Sequence, residues 1–258
     1  MIYSKFIKNN TKQQTKNFYN QQSQKRDTTR QKIWPEFEII LKQIKQSRKK
    51  NIKILDLWCG NANVLQFLTD NQDFHKKNID YTWVDIAENL IQIAKNKFPN
   101  SKFEANDMID FIETQKQESF DFVFLIASLQ HIPTEKERLI ILKNIYRILK
   151  YKWYLIFIDW CFSKRFIKKY KKYIFKAFCK NFFTLGYLKA NDLYIPWKWE
   201  NQIYQRYYHI FTQNEKIRLT KQAWFCIEKL LYLDNKWNLI NSWNWRNSIA
   251  IAQKEVIS

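Results

Sequence analysis

One stretch sets the terms for everything around it. Lys53-Ile54-Leu55-Asp56-Leu57 reads as an apolar strand, Trp58-Cys59-Gly60-Asn61-Ala62 as a tight turn, and Val64, Leu65, Phe67 and Leu68 as the apolar face of a helix. A strand that feeds a helix through so short a turn belongs to a parallel α/β sheet. It places a ligand where the carboxyl end of the strand meets the amino end of the helix. One residue is out of keeping: such a turn wants no side chain, and Trp58 supplies a large one. The composition shows the same tension, because two glycines stand against eleven tryptophans in 258 residues, whereas glycine makes up about 7% of an ordinary chain. An α/β fold needs left-handed turn positions, which glycine fills because it lacks Cβ. Either this chain avoids such turns or something stands in for glycine.

The alternation continues along the chain. A strand from Ile79 to Asp85 ends on an acid, and a helix over 87–97 closes at Phe98-Pro99. A short strand at 102–104 leads to Asp107. Ser119 to Ile126 is almost continuously apolar, the pattern of a central parallel strand covered on both faces. Thr134, with Glu137 three residues on, predicts a capped helix over 134–149, followed by a strand at 153–159. Upstream, residues 1–17 read as polar and frayed and 18–31 as a lid-like helix. Trp34-Pro35 opens a helix with Phe37, Ile40, Leu41 and Ile44 at helical spacing. Residues 161–211 break the rhythm, which resumes with a helix at 212–222 and strands near 225–232 and 247–253. The predicted fold is α/β: a doubly wound, seven-stranded, mostly parallel, Rossmann-like sheet forming one domain. Residues 1–50 are its N-terminal helical element, 51–160 the cofactor-binding core, 161–211 a basic and aromatic insertion, and 212–258 the closing helix and strands.

The net charge of +20 points to an anionic partner, nucleic acid before a membrane surface. Lysine outnumbers arginine 35 to 9, as AT-rich coding would produce, so part of the charge is compositional. Lys164, Arg165, Lys168, Lys169, Lys171 and Lys172 open a run without an acid, interleaved with Phe166, Tyr170, Tyr173, Phe175 and Phe178. Two readings stand side by side. The run is a face for RNA phosphates and stacked bases, or an amphipathic helix with a solvated side, which also suits a membrane surface. Cys59, Cys161, Cys179 and Cys226 form no metal-like spacing with the three histidines, so no metal is expected. With a polar amino terminus and no apolar run of about 18 residues, the chain reads as cytoplasmic, with reduced thiols and no membrane span.

Asp85, 25 residues after Gly60, can take both hydroxyls of a ribose, and Asp107 can hold an adenine amino group. The helix start after Gly60 offers N–H groups to an anionic end. D-x-W-C-G-N-A, the acid at 85, and Asp121-Phe122-Val123 leading to Leu129-Gln130-His131 resemble the class I S-adenosylmethionine-dependent methyltransferases over about residues 52–160 and 224–253. That resemblance implies S-adenosylmethionine as cofactor, with Asp56, Trp58, Gly60 and Asn61 at its methionine end. Asp85 and Ile86 fall at the ribose, Asp107 and Met108 at the adenine, and Ala127 to His131 beside the transferred methyl.

Outside the core, Phe18-Tyr19 through Arg30 to Trp34-Pro35, Ile195-Pro196-Trp197 and Arg206-Tyr207-Tyr208-His209-Ile210-Phe211 resemble the tRNA wobble-uridine methyltransferases. Those enzymes esterify a carboxymethyl group on anticodon uridine. Leu129-Gln130-His131 is similar too, with Gln130 in place of the first of two histidines. By this likeness the acceptor is a carboxylate, His131, Arg206 and His209 are the candidate catalytic residues, the basic insertion contacts tRNA, and a small partner subunit is a possible companion. His131 reads equally as a satisfied helix-start histidine, and Arg206 and His209 as a polar edge. A small-molecule methyltransferase with a quinone or lipid-like acceptor is the alternative function. A non-catalytic RNA-binding protein with a degraded cofactor site is another.

Seven tryptophans fall where these methyltransferases or the turns would have glycine: Trp58, Trp83, Trp153, Trp199, Trp224, Trp237 and Trp245. Trp34, Trp160, Trp197 and Trp243 sit where an aromatic fits. A source that reads UGA as glycine would give this pattern if its gene were translated with tryptophan at UGA.

Overall fold

The computed structural model describes residues 2–24, 34–72, 74–183, 189–199, 202–233 and 247–255. Its strands are β1 (Asn51–Leu57), β2 (Asn78–Asp85), β3 (Lys102–Ala105), β4 (Phe120–Ile126), β5 (Leu149–Trp160), β6 (Asp192–Trp199), β7 (Gln202–His209), β8 (Phe225–Leu233) and β9 (Asn247–Lys254). Its helices are α1 (Ile2–Gln21), α2 (Glu36–Gln46), α3 (Asn63–Thr69), α4 (Glu88–Lys97), α5 (Met108–Thr114), α6 (Glu135–Ile148), α7 (Lys164–Phe183) and α8 (Gln213–Gln222).

Seven strands form one sheet in the order β3-β2-β1-β4-β5-β9-β8, parallel from β3 to β5, with β9 antiparallel to both of its neighbours. The order reverses between β1 and β4, so the loops that follow them diverge and leave a crevice at their carboxyl ends. Residue alternation builds the two covered faces. Ile52, Ile54, Phe122, Phe124 and Ile156 pack with Phe37, Ile40 and Leu41 of α2 and Leu65 and Leu68 of α3. Leu55, Leu57, Val123, Leu125 and Leu155 pack with Phe111 and Ile112 of α5 and Ile141, Leu142 and Ile145 of α6. The expected sheet is therefore present, and the Thr134–Glu137 cap is formed: the Glu137 N–H donates to Thr134 Oγ1 at 3.2 Å.

The ends differ from expectation. Residues 2–17 are helical rather than frayed, as part of α1. The sequence hides this because α1 is polar and its docking is tertiary. Phe18 and Tyr19 bury against Ala87 and Leu90, and Asn20 Oδ1 accepts from the Asn89 N–H at 3.0 Å. Half of the segment expected as a lid (25–31, with Arg30) lies outside the described residues, as do Trp237, Trp243 and Trp245. The described residues within 161–211 form α7 and the antiparallel pair β6–β7, in which Ile195 pairs with Arg206. Helix α7 has non-helical backbone at Tyr170 (φ −114°, ψ 15°). No helix among the described residues is long and apolar enough to cross a membrane.

One buried carboxylate knits the sheet at its other end. Asp121 accepts from the Lys53 N–H at 2.7 Å, from Lys49 Nζ at 2.7 Å and from Lys150 Nζ at 2.9 Å. For Lys49, burial opposes the charge, but the bonds to Asp121 win and raise its pKa. Replacing Asp121 by Ala leaves a strand N–H and two ammonium groups without this acceptor. Asp121→Ala is expected to lower unfolding stability by about 2 kcal/mol, read as a lower urea midpoint at unchanged slope.

Candidate active site

The turn after β1 is built on left-handed backbone. Trp58, Gly60 and Ala62 have φ of 73°, 59° and 63°. The N–H groups of Trp58 and Cys59 donate to Val84 O at 2.6 and 3.1 Å, and that of Gly60 to Asp85 Oδ2 at 2.8 Å. Asp85 Oδ1 accepts from the Ala87 N–H at 2.8 Å, so one carboxylate ties the turn to the start of α4. Asn61 is buried beside Gly60.

Asp56 is the anomaly of this cluster. It is 1% exposed, and neither carboxylate oxygen has a hydrogen-bond partner among the described residues. Burial, and then the charge of Asp85, push its pKa well above the usual carboxylate range. A buried acid in that condition fits a ligand that brings a cation, such as the ammonium of a methionine moiety. Burial also raises the Cys59 thiol well above its ordinary value, so this cysteine is a poor nucleophile.

Towards β3, Asp107 caps α5 by accepting from the Ile109 N–H at 2.9 Å, and its other oxygen pairs with Lys12 of α1 at 2.6 Å. Ile86, Asn106 and Asp107 line a cavity of about 540 Å³ with Lys12 and Lys16 of α1. That volume is in the range of small-ligand pockets. Met108 is buried in the core behind it.

On the other side of the crevice, Ala127 (φ 53°) turns the chain from β4 into a short 3₁₀ turn, Leu129–His131. The His131 ring is held from three directions. Its Nδ1 lies 3.1 Å from Tyr207 O, to which it donates, and its Nε2 accepts from the Tyr19 hydroxyl at 3.1 Å. Its ring centroid is 5.4 Å from Trp58 and 4.8 Å from Tyr208. Next to it sits Arg206, 9% exposed. Its guanidinium lies over Trp197 at 4.5 Å and over Phe18 and Tyr208 at 5.1 Å each. Its Nε is buried without a partner, and no carboxylate pairs with it among the described residues.

Of the three residues singled out in the sequence, His131 and Arg206 both contact the Tyr208 ring, whereas His209 has a different place. It is fully buried, with Nδ1 2.7 Å from Asp192 and Nε2 2.9 Å from Glu215. Burial works against both carboxylates, yet the bonds and charge of His209 hold both pKa values low. With both nitrogens engaged, His209 braces the hairpin and has no donor left to clamp an acceptor.

Sequence reasoning missed the residues that brace this side. Gln130 accepts from the Trp160 N–H at 2.9 Å, and its own N–H donates to Asp159 at 3.2 Å. Behind Asp159, Lys216 is buried at 3.8 Å, its pKa brought down to about 8 by burial despite the opposing charge of Asp159. The signal available was an acid closing β5, as Asp85 closes β2. Helix α7 packs on the hairpin through Phe166 and Ala177, against Leu193, Ile195 and Tyr208. Lys164, Arg165, Lys168, Lys169, Lys171 and Lys172 are exposed on it, as are Phe175, Phe178 and Phe182.

A family model described as a methyltransferase domain matches residues 48–222. Over 144 residues the chain is 28% identical to the ubiquinone/menaquinone biosynthesis C-methyltransferase UbiE of Campylobacter jejuni, covering 55% of this chain and 56% of that one. The chain thus spans about half the length of that curated relative. The fold matches a S-adenosylmethionine-dependent methyltransferase from Methanosarcina mazei (TM-score 0.66, 20% identity, 87% of this chain and 99% of that one). It also matches a chain in the complex of the Haloferax volcanii Trm112 methyltransferase activator with a methyltransferase (TM-score 0.64, 11% identity, 94% and 98% covered).

The contacts of α1 make its docking sensitive to acid. Glu88 accepts from Lys16 at 2.5 Å and from Asn20 at 2.8 Å, and these bonds, Lys16 first, lower its pKa from 4.5 to about 2. A depressed folded pKa contributes stability above the unfolded value, and that contribution is lost as pH falls through the folded one. Hydrogen-exchange protection of α1 is expected to be steady above about pH 5 and to fall between pH 4.5 and about 2. Glu88→Gln should remove that step.

Proposed function

The chain belongs to the methyltransferase domain family, and on that premise we propose that it methylates a carboxylate on an anticodon uridine derivative of tRNA. The observation that carries this reading is Arg206: a buried guanidinium, caged by three aromatic rings, with no carboxylate of its own among the described residues. A guanidinium accepts a carboxylate through two parallel N–H bonds, and leaving it unpaired in a buried place is costly.

When bound, S-adenosylmethionine supplies an electrophilic sulfonium methyl. Asp56, with Gly60, Asn61 and the backbone at position 58, would hold its methionine end. Asp85 and Ile86 would hold the ribose, and Asp107 and Met108 the adenine, with Ala127 beside the reacting end. Arg206 then orients the acceptor carboxylate. A carboxylate is ionised at neutral pH, so no strong base is needed, and alignment supplies most of the rate. His131, its proton on Nδ1, positions the wall of the acceptor pocket through Tyr19 and Tyr207. Phe18, Tyr19 and Trp197 exclude water from the same side.

The tRNA assignment is supported by the exposed cations and phenylalanines of α7, which carry phosphate and stacking contacts. The Haloferax volcanii complex supports a small partner subunit as part of the proposal. A second reading, a small quinone-like acceptor, is favoured by the likeness to UbiE and by the aromatic enclosure of the pocket.

The test is incubation with labelled S-adenosylmethionine and bulk tRNA, followed by nucleoside analysis, in the chain as written and in its Trp58→Gly variant. Label on a uridine derivative that mild alkali releases supports the carboxylate ester. Label only on an added quinone supports the second reading and sinks the first. Arg206→Gln is expected to lower kcat/KM for tRNA roughly 100-fold, about 2.7 kcal/mol, with cofactor affinity unchanged by calorimetry.

A further inference from the structure

The eleven tryptophans divide by what their surroundings ask of them. Three make aromatic contacts from backbone that is not left-handed. Trp34 stacks on Phe37 at 6.0 Å, Trp160 stacks on Tyr208 at 4.7 Å with planes 7° apart, and Trp197 holds the Arg206 guanidinium at 4.5 Å. Two others sit on backbone that disfavours any side chain, namely Trp58 at φ 73° and Trp224 at φ 68°. Left-handed backbone brings Cβ against the following carbonyl, and a bulky residue there is a true outlier. Trp224 is also one of the large hydrophobic side chains left exposed, and its one cation contact, Lys143 Nζ at 4.5 Å, is a surface one that does not offset the strained backbone.

Trp83 fails on a different ground. It is completely buried in the core, and its indole Nε1–H has no acceptor among the described residues. Its ring lies face to face on Tyr81 at 3.6 Å and 2°, the sandwich that aromatic pairs avoid. Trp153 follows Lys152, itself at φ 63°, at the entrance to the regular part of β5. Its contacts with Phe122 and Lys49 do not mark it either way. The Trp199 side chain, Trp237, Trp243 and Trp245 lie outside the described residues.

We infer that the source organism reads UGA as glycine, and that Trp58, Trp83 and Trp224 are glycine in the protein its own cells make. Two glycines in 258 residues, beside tryptophans on glycine backbone, follow directly from that reassignment. Position 58 then decides ligand access. The Trp58 ring lies between the turn that carries Asp56 and Gly60 and the acceptor wall at His131, 5.4 Å from the latter. With glycine there, the turn reads Asp-Leu-Gly-Cys-Gly-Asn-Ala, its backbone is unstrained, and cofactor and acceptor sides share one open space. Only this last step rests on the methyltransferase reading.

The experiment pairs codons with peptides. The gene is expected to carry UGA at 58, 83 and 224 and UGG at 34, 160 and 197. Peptide mass spectrometry of the protein purified from its own cells is expected to give glycine masses at the first three positions. UGG at 58 and 224, or a tryptophan mass there, overturns the inference. By calorimetry, Trp58→Gly is expected to bind S-adenosylmethionine at least tenfold more tightly than the Trp58 chain. Equal affinity would overturn the claim for access at position 58. Glycine masses with no binding by Trp58→Gly would leave the reassignment standing and remove the cofactor reading instead.

Discussion

The site depends on what the Asp85 carboxylate does at the end of β2. One oxygen takes the Gly60 N–H and the other the Ala87 N–H. The turn after β1 and the start of α4 are thereby fixed to each other at the point where the sheet reverses order. The turn cannot relax into a right-handed path, because three of its residues already hold left-handed φ in order to reach those bonds. Everything on the cofactor side inherits that geometry: the buried position of Asp56, the direction of Trp58, and the seating of α4 on which α1 docks. Even if Asp85 also meets a ribose, its first task is structural.

Charge buried as scaffolding recurs across the molecule. Asp121 gathers a strand N–H and two lysines at the base of the sheet. Asp159 and Lys216 stand behind the turn that carries His131. Asp192, His209 and Glu215 brace the hairpin that carries Arg206. Such groups contribute little to net stability but fix geometry, because breaking one leaves a buried charge unpaired. Against these paired clusters Asp56 and Arg206 stand out among the described residues: one is an acid with neither oxygen hydrogen-bonded, the other a cation with no carboxylate beside it.

The parallel core was legible because its signals are local. The apolar run of β4 declares a strand covered on both faces, the acid closing β2 marks a ligand-facing end, and Thr134 with Glu137 announces α6. Helix α1 was not legible, since its polar sequence carries no strong helical face and Phe18, Tyr19 and Asn20 find their partners on α4. His209 was misplaced for a related reason. A histidine after three polar aromatic-edge residues looks like an acceptor ligand until the fold brings Asp192 and Glu215 to its two nitrogens. Gln130, which looked like a lost histidine, turns out to hold the backbone of Trp160 in place.

Helix α1 touches both halves of the crevice. Lys12 and Lys16 line the cavity beside Asp107, while Tyr19 reaches His131 and Phe18 backs Arg206. On the proposed assignment of the two sites, a single docked helix serves two binding events, and linkage then makes them reciprocal. Whatever free energy one ligand gains from docked α1, it returns to the other as raised affinity. Methyl donor and methyl acceptor need not touch to sense each other; the helix is the common term in both equilibria.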